Sequence, residues 1–456
     1  AFNNLGNVYK DHGQLDQALD CYRRALELEP DRADIHSNVV LALQYRSGDK
    51  AEVISAEASR WNRQHARRLS DSTSVSPIDR SPGRRLRVGY VSPDLRSHPV
   101  GCFLLTLLTA HDGHAFEIFC YSNTRRGDKF TDLLRSQVDG WKGITGQTDR
   151  QVADLIRADQ IDILVDLALH TAGNRLPVFA LKPAPVQVSY LGYPGGSGLD
   201  TIDYRITDPF LDPPDGPAPL GPEQPIRLPD TYWCYRPIIE PSPDVTPLPA
   251  QRTGGVTFGC LNNLCKVTPA ALAVWSRLLI AAPEAQLLLC APAGTVRTDL
   301  LGSLARNGVN STRIRFLERM SLEDYFRSYQ LIDVGLDPFP FAGGTTTCDA
   351  LWMGVPVISL AGSTPVTRGG SSILSNIGLP ELVAHSADDY IDRAVAVARD
   401  LPRLAGLRAT LRERMQRSPL MDAPRFARAI EAAYRAMWQR WCTRPDGNAA
   451  APSTPT

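Results

Sequence analysis

Short apolar runs alternate with helix-length amphipathic segments over most of the chain after residue 83. The first group of apolar runs lies at 85–92, 116–122, 161–167 and 186–191. Runs of this length indicate buried strands, and their alternation with helices is typical of a parallel sheet covered by helices. Residues 84–240 are therefore predicted to form one Rossmann-like lobe.

The same alternation begins again after a proline-dense span, 209–249, which we interpret as a connection between two lobes. Residues 250–400 are predicted to form a second Rossmann-like lobe, 401–442 a set of helices, and 443–456 a disordered tail. The predicted strands of the second lobe lie at 255–260, 285–290, 313–317 and 334–336, with another apolar run at 357–360. The predicted fold class is α/β with two lobes.

A helical repeat precedes the two lobes. Residues 1–30 follow the pattern A-F-x-x-L-G-x-x-Y-x-x-x-G-x-x-x-x-A-x-x-x-Y-x-x-A-L-x-x-x-P. This pattern predicts a tetratricopeptide repeat segment over 1–47, because a generic pair of amphipathic helices would not fix so many positions. One repeat cannot bury its own apolar face, so we expect further repeats before it and a protein partner on the stack. Residues 48–83 are predicted to be a helix and a linker.

Composition narrows the class of protein. The chain is 43% hydrophobic and 21% charged, with a formal net charge of +0, so neither nucleic acid nor an acidic membrane surface is indicated as the main partner. No apolar run reaches membrane-spanning length. The nine cysteines contain no C-x-x-C pair, which argues for free thiols, against a zinc site, and for a cytoplasmic location.

The most informative stretch runs from Gly343 to Pro356 and reads G-G-T-T-T-C-D-A-L-W-M-G-V-P. Glycines and hydroxyls stand where a helix is predicted to begin, between two apolar strands. A helix N-terminus binds anions, and glycine lets a phosphate approach the backbone. The alternative is an ordinary strand-to-helix junction in which Thr345 caps the helix. The first interpretation makes Gly344, Thr345 and Thr346 candidate donor-binding residues.

Two charged residues complete this candidate site. Lys266 follows the strand at 255–260 and Asn262-Asn263, so it could place an ammonium on a diphosphate; the alternative is an ordinary exposed lysine. Asp349 lies one turn into the predicted helix and could accept ribose hydroxyls, or could simply interact with the helix dipole. The chain contains no Asp-x-Asp pair. Two Rossmann-like lobes facing a cleft indicate a nucleotide-sugar transferase, and such an enzyme without a metal must offset the charge of the leaving diphosphate with fixed donors, which this chain supplies.

Candidates in the first lobe follow its strands. His98, in Ser97-His98-Pro99, and His170 both follow predicted strands and are expected to face the cleft, where histidine could orient or deprotonate an acceptor hydroxyl. Either could instead be a structural histidine with satisfied ring nitrogens. Gln187 and Tyr193 are weaker candidates for the same acceptor or sugar side.

These motifs resemble the protein O-linked N-acetylglucosamine transferases, including the plant SPINDLY branch, from the first residue to about residue 441. The resemblance rests on the repeat and on a set of ordered motifs: Val88-Gly89-Tyr90-Val91-Ser92, His98-Pro99, Pro183-Ala184-Pro185-Val186-Gln187, Leu191-Gly192-Tyr193-Pro194, Asn262-Asn263 with Lys266, and Thr345-Thr346 with Asp349. It implies a GT-B type glycosyltransferase, inversion at the sugar, no metal or other cofactor, and serine or threonine acceptors on proteins.

The resemblance also implies roles for single residues. Lys266 stabilises the departing diphosphate, Thr345 and Thr346 bind it, Asp349 holds the ribose, and His98 lies near acceptor and sugar. Asn263, Met320 and Tyr325 belong to the same donor side, with Tyr325 suited to stacking on a base.

Several positions depart from the N-acetylglucosamine transferases. Gly344 and Tyr325 each stand where those enzymes have a histidine, while Leu322 and Ser328 replace a lysine and an arginine. Some motifs are closer to SPINDLY, which transfers fucose from GDP-fucose. The sequence therefore leaves UDP-GlcNAc and GDP-fucose open as donors.

Two other classes of protein remain. One is a non-catalytic repeat scaffold with decayed transferase lobes, which the retained Lys266, Thr345, Thr346 and Asp349 argue against. The other is an enzyme acting on a glycan or small metabolite, which leaves the repeat without a role.

Overall fold

The computed structural model describes residues 1–46, 48, 51–70, 79–216 and 221–444 of the 456-residue chain. The linker predicted within 48–83 falls partly outside these residues, at 71–78. The tail predicted at 443–456 lies outside them except for Thr443 and Arg444.

The repeat forms a helical hairpin of α1 (Phe2–Asp11) and α2 (Leu15–Leu28). A Cβ on Gly6 would lie 2.5 Å from the Tyr22 ring, so glycine is required where the two helices touch. Further helices continue the stack: α3 (Ala33–Tyr45), α4 (Ala51–Trp61), a π-helical turn (Asn62–Ala66) and α5 (Arg67–Ser70).

The first lobe contains a seven-stranded parallel sheet in the order β3-β2-β1-β4-β5-β6-β7. Its strands are β1 (Leu86–Ser92), β2 (Phe116–Ser122), β3 (Gly140–Gly143), β4 (Ile163–Asp166), β5 (Val186–Ser189), β6 (Tyr204–Thr207) and β7 (Gln224–Arg227). Its helices are α6 (Pro99–Leu108), α7 (Lys129–Arg135), α8 (Asp149–Ala158) and α9 (Leu176–Ala180). The Rossmann-like lobe predicted from the sequence is confirmed.

Three strands of this sheet were not predicted. β3 and β6 are four residues each and carry no long apolar run. β7 lies inside the proline-dense span, so the interpretation of that span as connection alone is wrong. Pro225 fits within β7 because the strand pairs with β6 at the edge of the sheet, where one face of its backbone needs no partner.

The second lobe repeats the arrangement with a six-stranded parallel sheet in the order β10-β9-β8-β11-β12-β13. Its strands are β8 (Thr257–Cys260), β9 (Gln286–Cys290), β10 (Ile314–Leu317), β11 (Val334–Leu336), β12 (Val357–Leu360) and β13 (Val383–Ala384). Its helices are α10 (Ala250–Thr253), α11 (Pro269–Ala281), α12 (Thr295–Arg306), α13 (Leu322–Ser328), α14 (Thr345–Trp352), α15 (Gly369–Asn376) and α16 (Ala387–Arg399).

Two C-terminal helices follow, α17 (Leu401–Gln416) and α18 (Ala423–Cys442). The second returns to the first lobe: the hydroxyls of Tyr434 and Tyr90 lie 3.3 Å apart, and Glu431 meets His111 at 3.0 Å. Both lobes are thereby joined beyond the connecting segment. In the part of the chain that the structure describes, no helix combines the length and apolarity needed to cross a membrane.

Candidate active site

Three turns at the carboxyl ends of β1, β8 and β11 carry most of the predicted site residues. β1 and β8 are the strands at which the order reverses in their sheets, with β4 and β11 as the next neighbours. Ligands of doubly wound sheets bind outside the carboxyl ends of the strands at such a reversal. The topology therefore places His98, Lys266 and the Gly343–Thr347 turn where a ligand is expected.

The turn after β11 leads directly into α14. Gly344 is the N-cap residue and provides no side-chain cap, and Thr345 is the first helical residue. The alternative interpretation of Thr345 as a capping side chain is therefore wrong. The first amides of a helix have no intrahelical partner. With no capping side chain over them, those of α14 can donate to an anion, beside the half-buried Thr345 and Thr346.

Asp337, the residue after β11, holds this turn by hydrogen bonds. Its Oδ1 accepts a 2.7 Å hydrogen bond from the amide of Gly343, and its Oδ2 accepts a 2.5 Å hydrogen bond from the Ser359 hydroxyl. Burial raises the pKa of the Asp337 carboxyl to about 6. A Cβ on Gly343 would lie 2.9 Å from Asp337 Oδ1 and 2.4 Å from Thr347 Oγ1, so the turn depends on glycine there.

Lys266 ends a short 3₁₀-helix, Leu264–Lys266, after β8. Its Nζ donates a 2.9 Å hydrogen bond to the carbonyl of Ala342 and lies 4.3 Å from the centre of the Phe341 ring. Burial lowers the pKa of the Lys266 ammonium. The lysine is therefore held at Ala342, the residue that precedes the glycine turn. Its ammonium lies close to the N-terminus of α14, as the sequence predicts.

Asp349 is buried in α14 and both of its carboxylate oxygens are occupied. Oδ1 accepts a 2.7 Å hydrogen bond from Tyr235, and Oδ2 accepts a 3.0 Å hydrogen bond from Tyr325. Burial raises the pKa of the Asp349 carboxyl to about 7. The tyrosines therefore stand where the sequence places ribose hydroxyls, and a bound nucleoside would have to share or displace them.

The remaining predicted donor residues surround this tyrosine cluster. The Tyr325 hydroxyl lies 2.7 Å from that of Tyr329, whose hydroxyl donates to the carbonyl of Thr346 at 3.1 Å. Met320 is half-buried just before α13, and the Asn263 side chain is exposed as the cap of the 3₁₀-helix.

His98 is the N-cap residue of α6. Its Nδ1 accepts a 3.3 Å hydrogen bond from the amide of Val100, and the side chain is 34% exposed. Burial lowers the pKa of the His98 ring, with Asp94 acting in the opposite direction. A neutral ring that accepts at Nδ1 carries its proton on Nε2. This tautomer suits a donor that orients a hydroxyl better than a base that deprotonates it.

The three weaker acceptor-side candidates, His170, Gln187 and Tyr193, are all buried. His170 is fully buried, with Nδ1 3.1 Å from Ser37 Oγ and Nε2 2.8 Å from the carbonyl of Ser197, so its predicted position facing the cleft is wrong. Gln187 is also fully buried, and its amide donates to two backbone carbonyls. Tyr193 is 3% exposed and packs against Phe341. The structural alternative for His170 is the one observed.

Sequence reasoning missed residues that shape the site from the interlobe connection. Trp233 is 3.7 Å from the position of a Cβ on Gly344, and its ring centre is 6.4 Å from that of Phe103 in α6. Tyr235 bonds Asp349. The available signal was the aromatic cluster T-Y-W-C-Y at 231–235 inside a span otherwise rich in proline. Residues 231–235 therefore contact both α6 and the glycine turn.

Among the described residues, no group of three or more histidine, cysteine, aspartate or glutamate side chains could hold a metal ion.

Two Rossmann-like lobes, with a helix N-terminus and a lysine at the reversal point of the second sheet, form a two-lobed fold of the GT-B type. The chain belongs to glycosyl transferase family 41, whose model matches residues 63–218 and 247–430. A tetratricopeptide repeat model matches residues 1–32.

Named relatives agree with this family. The probable UDP-N-acetylglucosamine–peptide N-acetylglucosaminyltransferase SPINDLY of Solanum lycopersicum is 40% identical over 91% of this chain and 45% of its own length. The SPINDLY protein of Arabidopsis thaliana is 40% identical over 91% of this chain and 46% of its own. The chain thus spans less than half the length of these relatives.

One solved structure matches nearly the whole chain. A lysine-to-methionine mutant of the Thermobaculum terrenum O-GlcNAc transferase superposes with a TM-score of 0.91 at 39% identity, covering 97% of this chain and 84% of that one.

Proposed function

We propose that this protein is an inverting, metal-independent O-glycosyltransferase that transfers the sugar of a nucleoside diphosphate sugar to serine or threonine hydroxyls of proteins. The observation that carries the proposal is the meeting of Lys266 with the N-terminus of α14, through the 2.9 Å bond from Nζ to the carbonyl of Ala342. An ammonium and a set of free amides in one turn suit a diphosphate.

In the proposed reaction an acceptor hydroxyl attacks the anomeric carbon and the bond from that carbon to the diphosphate oxygen breaks. The leaving diphosphate takes the electron pair, and the hydroxyl proton passes to solvent or to a base that we do not assign. Lys266 and the α14 amides stabilise the charge that develops on the diphosphate, which removes the need for a metal. Binding energy from the same contacts holds the donor in place.

His98 in this scheme orients the acceptor or the sugar through Nε2–H rather than acting as the base. Its acceptance of the Val100 amide at Nδ1 supports this role. The Asp349 carboxylate, bonded to Tyr235 and Tyr325, forms the nucleoside end of the site.

The donor remains UDP-GlcNAc or GDP-fucose. The names of the SPINDLY and Thermobaculum relatives favour N-acetylglucosamine. Gly344 and Tyr325 each stand where the N-acetylglucosamine transferases have a histidine. These replacements favour a site that fits the base and sugar of the donor differently. The repeat, which packs on both lobes, is proposed to carry the protein acceptor, and the nine free thiols favour the cytoplasm.

The test is a parallel calorimetric titration with UDP-GlcNAc and GDP-fucose, with EDTA present, followed by mass spectrometry of proteins incubated with the bound donor. We expect one donor to bind and its sugar to appear on serine or threonine. Binding of neither donor would favour a non-catalytic scaffold. Transfer to glycans or metabolites without protein modification would also overturn the proposal.

A further inference from the structure

The last turn of α3, the third helix of the predicted repeat segment 1–47, contacts the second lobe next to the glycine turn. Tyr45, the final residue of α3, stacks on Phe341 with ring centres 4.5 Å apart and planes 19° apart. The contact lies within a small apolar cluster drawn from the repeat and both lobes, comprising Leu41, Tyr45, Leu169, Tyr193, Phe341 and Val366. The repeat is therefore packed against the residues that precede the glycine turn.

Phe341 is also the ring that carries the Lys266 ammonium, 4.3 Å from its centre. The carbonyl of Ala342, the next residue, accepts the 2.9 Å hydrogen bond from Lys266 Nζ. The dipeptide Phe341-Ala342 thus contacts this ammonium twice, through the ring and through the carbonyl. Whatever fixes Phe341 also fixes the lysine, because a lysine side chain otherwise has four rotatable bonds.

A second contact joins the repeat to the segment that carries Lys266. The turn between α1 and α2 lies against Leu264. A Cβ on Gly13, whose φ is 77°, would lie 3.0 Å from the carbonyl oxygen of Leu264. Both the 3₁₀-helix that ends at Lys266 and the ring beneath its ammonium therefore pack against the repeat segment.

From this geometry, and resting on the proposed function, we propose that Tyr45 is a positioning residue for Lys266. The repeat segment is then part of the donor site as well as a surface for protein acceptors. Stabilisation of a leaving diphosphate depends on a donor fixed before the reaction, since an ammonium that must be ordered at that moment costs conformational entropy. Tyr45 acts by holding Phe341, and it touches no reacting atom.

A double-mutant cycle tests this inference on the full chain. UDP and GDP are titrated into the wild-type protein, Tyr45→Ala, Lys266→Ala and the double variant. We expect Tyr45→Ala to weaken binding of the preferred nucleotide about 10-fold, since small displacements of a binding group have effects up to about 100-fold. In the Lys266→Ala background the same change should add less than about twofold, because residues acting through one group are not additive.

Two control variants separate positioning from general stability. Tyr45→Phe keeps the stacked ring and should restore affinity to within about twofold of wild type. Leu43→Ala removes a buried side chain from the same helix, away from Phe341, and should lower thermal stability without weakening nucleotide binding. Equal and additive losses for Tyr45→Ala in both backgrounds would overturn the inference.

A second readout needs no nucleotide. The pH dependence of acetylation by acetic anhydride is followed at Lys266 by mass spectrometry, with Lys142 as the internal reference. Burial lowers the pKa of Lys266, while the neighbouring Cys265, Asp337 and Cys260 act to raise it.

Loss of the stacked ring in Tyr45→Ala should admit water and move the Lys266 labelling midpoint upward, with no such shift in Tyr45→Phe. An unchanged midpoint in Tyr45→Ala would overturn the inference. If the wild type binds neither nucleotide, the proposed function fails, and the labelling result still decides whether Tyr45 positions Lys266.

Discussion

The hydroxyl of Tyr235 donates a 2.7 Å hydrogen bond to Oδ1 of Asp349, which joins the interlobe connection to helix α14. Tyr325 donates to the second oxygen at 3.0 Å, and Asp349 is 4% exposed. Two hydrogen bonds favour the ionised carboxylate, yet burial dominates and raises the pKa of Asp349 to about 7. The carboxyl is therefore poised to change charge close to neutral pH.

The raised pKa predicts that Asp349 makes the protein less stable as pH rises. The unfolded carboxyl titrates near its ordinary value of about 4, and the folded one near 7. The folded state therefore holds the extra proton between these values, so its stabilising effect is complete below pH 4 and is lost as pH rises through 7. The melting temperature of wild type should fall more between pH 5 and 8 than that of Asp349→Asn.

Tyr235→Phe is the matched control for that experiment. It removes one of the two hydrogen bonds that favour ionisation while keeping the ring, so the pKa of Asp349 should rise further and the pH-dependent loss should extend to higher pH. Parallel melting curves for wild type and Asp349→Asn from pH 5 to 8 would contradict the buried, proton-holding carboxyl.

Lys266→Ala tests the charge-stabilising role directly. Loss of one preorganised donor to developing charge costs about 100-fold or more in kcat. We expect transfer by Lys266→Ala to fall by at least that factor while the melting temperature stays within about 3 °C of wild type, because the side chain is half-buried and the change removes one hydrogen bond, to the carbonyl of Ala342. Lys142→Ala, on the first sheet, should retain wild-type transfer. A folded, fully active Lys266→Ala protein would refute the proposed mechanism.

The two glycines of the turn should respond differently to alanine. At Gly343 a Cβ would meet Thr347, Asp337 and Asn262 at 2.4–3.1 Å, whereas at Gly344 the nearest atoms belong to Trp233 at 3.7 Å. Gly343→Ala should therefore distort the turn and weaken nucleotide binding about 10-fold or more. Gly344→Ala should keep the turn and change affinity by less than about threefold. Equal effects of the two variants, measured by calorimetry, would contradict this geometry.

The sequence was sufficient to predict both lobes because their central strands are continuous apolar runs, as at Phe116–Ser122. It failed for β7, whose proline suggested a loop, since nothing in a local pattern shows that a strand lies at an edge. The glycine turn at Gly343–Thr347 was predicted from its glycines and hydroxyls, and its binding of phosphate stays a prediction. Periodicity and composition alone could therefore locate the elements that carry the site.

Long-range contacts were the part that could not be predicted. Tyr235 and Asp349 are 114 positions apart, and Tyr45 meets Phe341 across nearly 300 positions. His170 was placed at the cleft because it follows a strand, but the repeat covers that end of the strand. A motif indicates which chemistry a residue type can perform, whereas its neighbours across the fold decide whether it is exposed to a ligand.

His170 gives the clearest test of that distinction. Its ring links Ser37 of the repeat to the carbonyl of Ser197 in the first lobe, and burial lowers its pKa to about 4, so it stays neutral. His170→Phe keeps the ring volume but leaves both partners unpaired, and an unsatisfied buried polar group costs about 1–3 kcal/mol.

Because about 1 kcal/mol shifts the melting temperature of a chain of this length by roughly 1 °C, we expect that of His170→Phe to fall by about 2–6 °C, with nucleotide affinity unchanged. Ser37→Ala, which removes one of the two bonds, should produce a smaller decrease. If His170→Phe instead melts as wild type does and binds nucleotide normally, yet loses protein transfer more than about 10-fold, the ring takes part in acceptor handling despite its burial. In that case the repeat must move away from the lobe during turnover, because no acceptor could otherwise reach a side chain with no exposed surface.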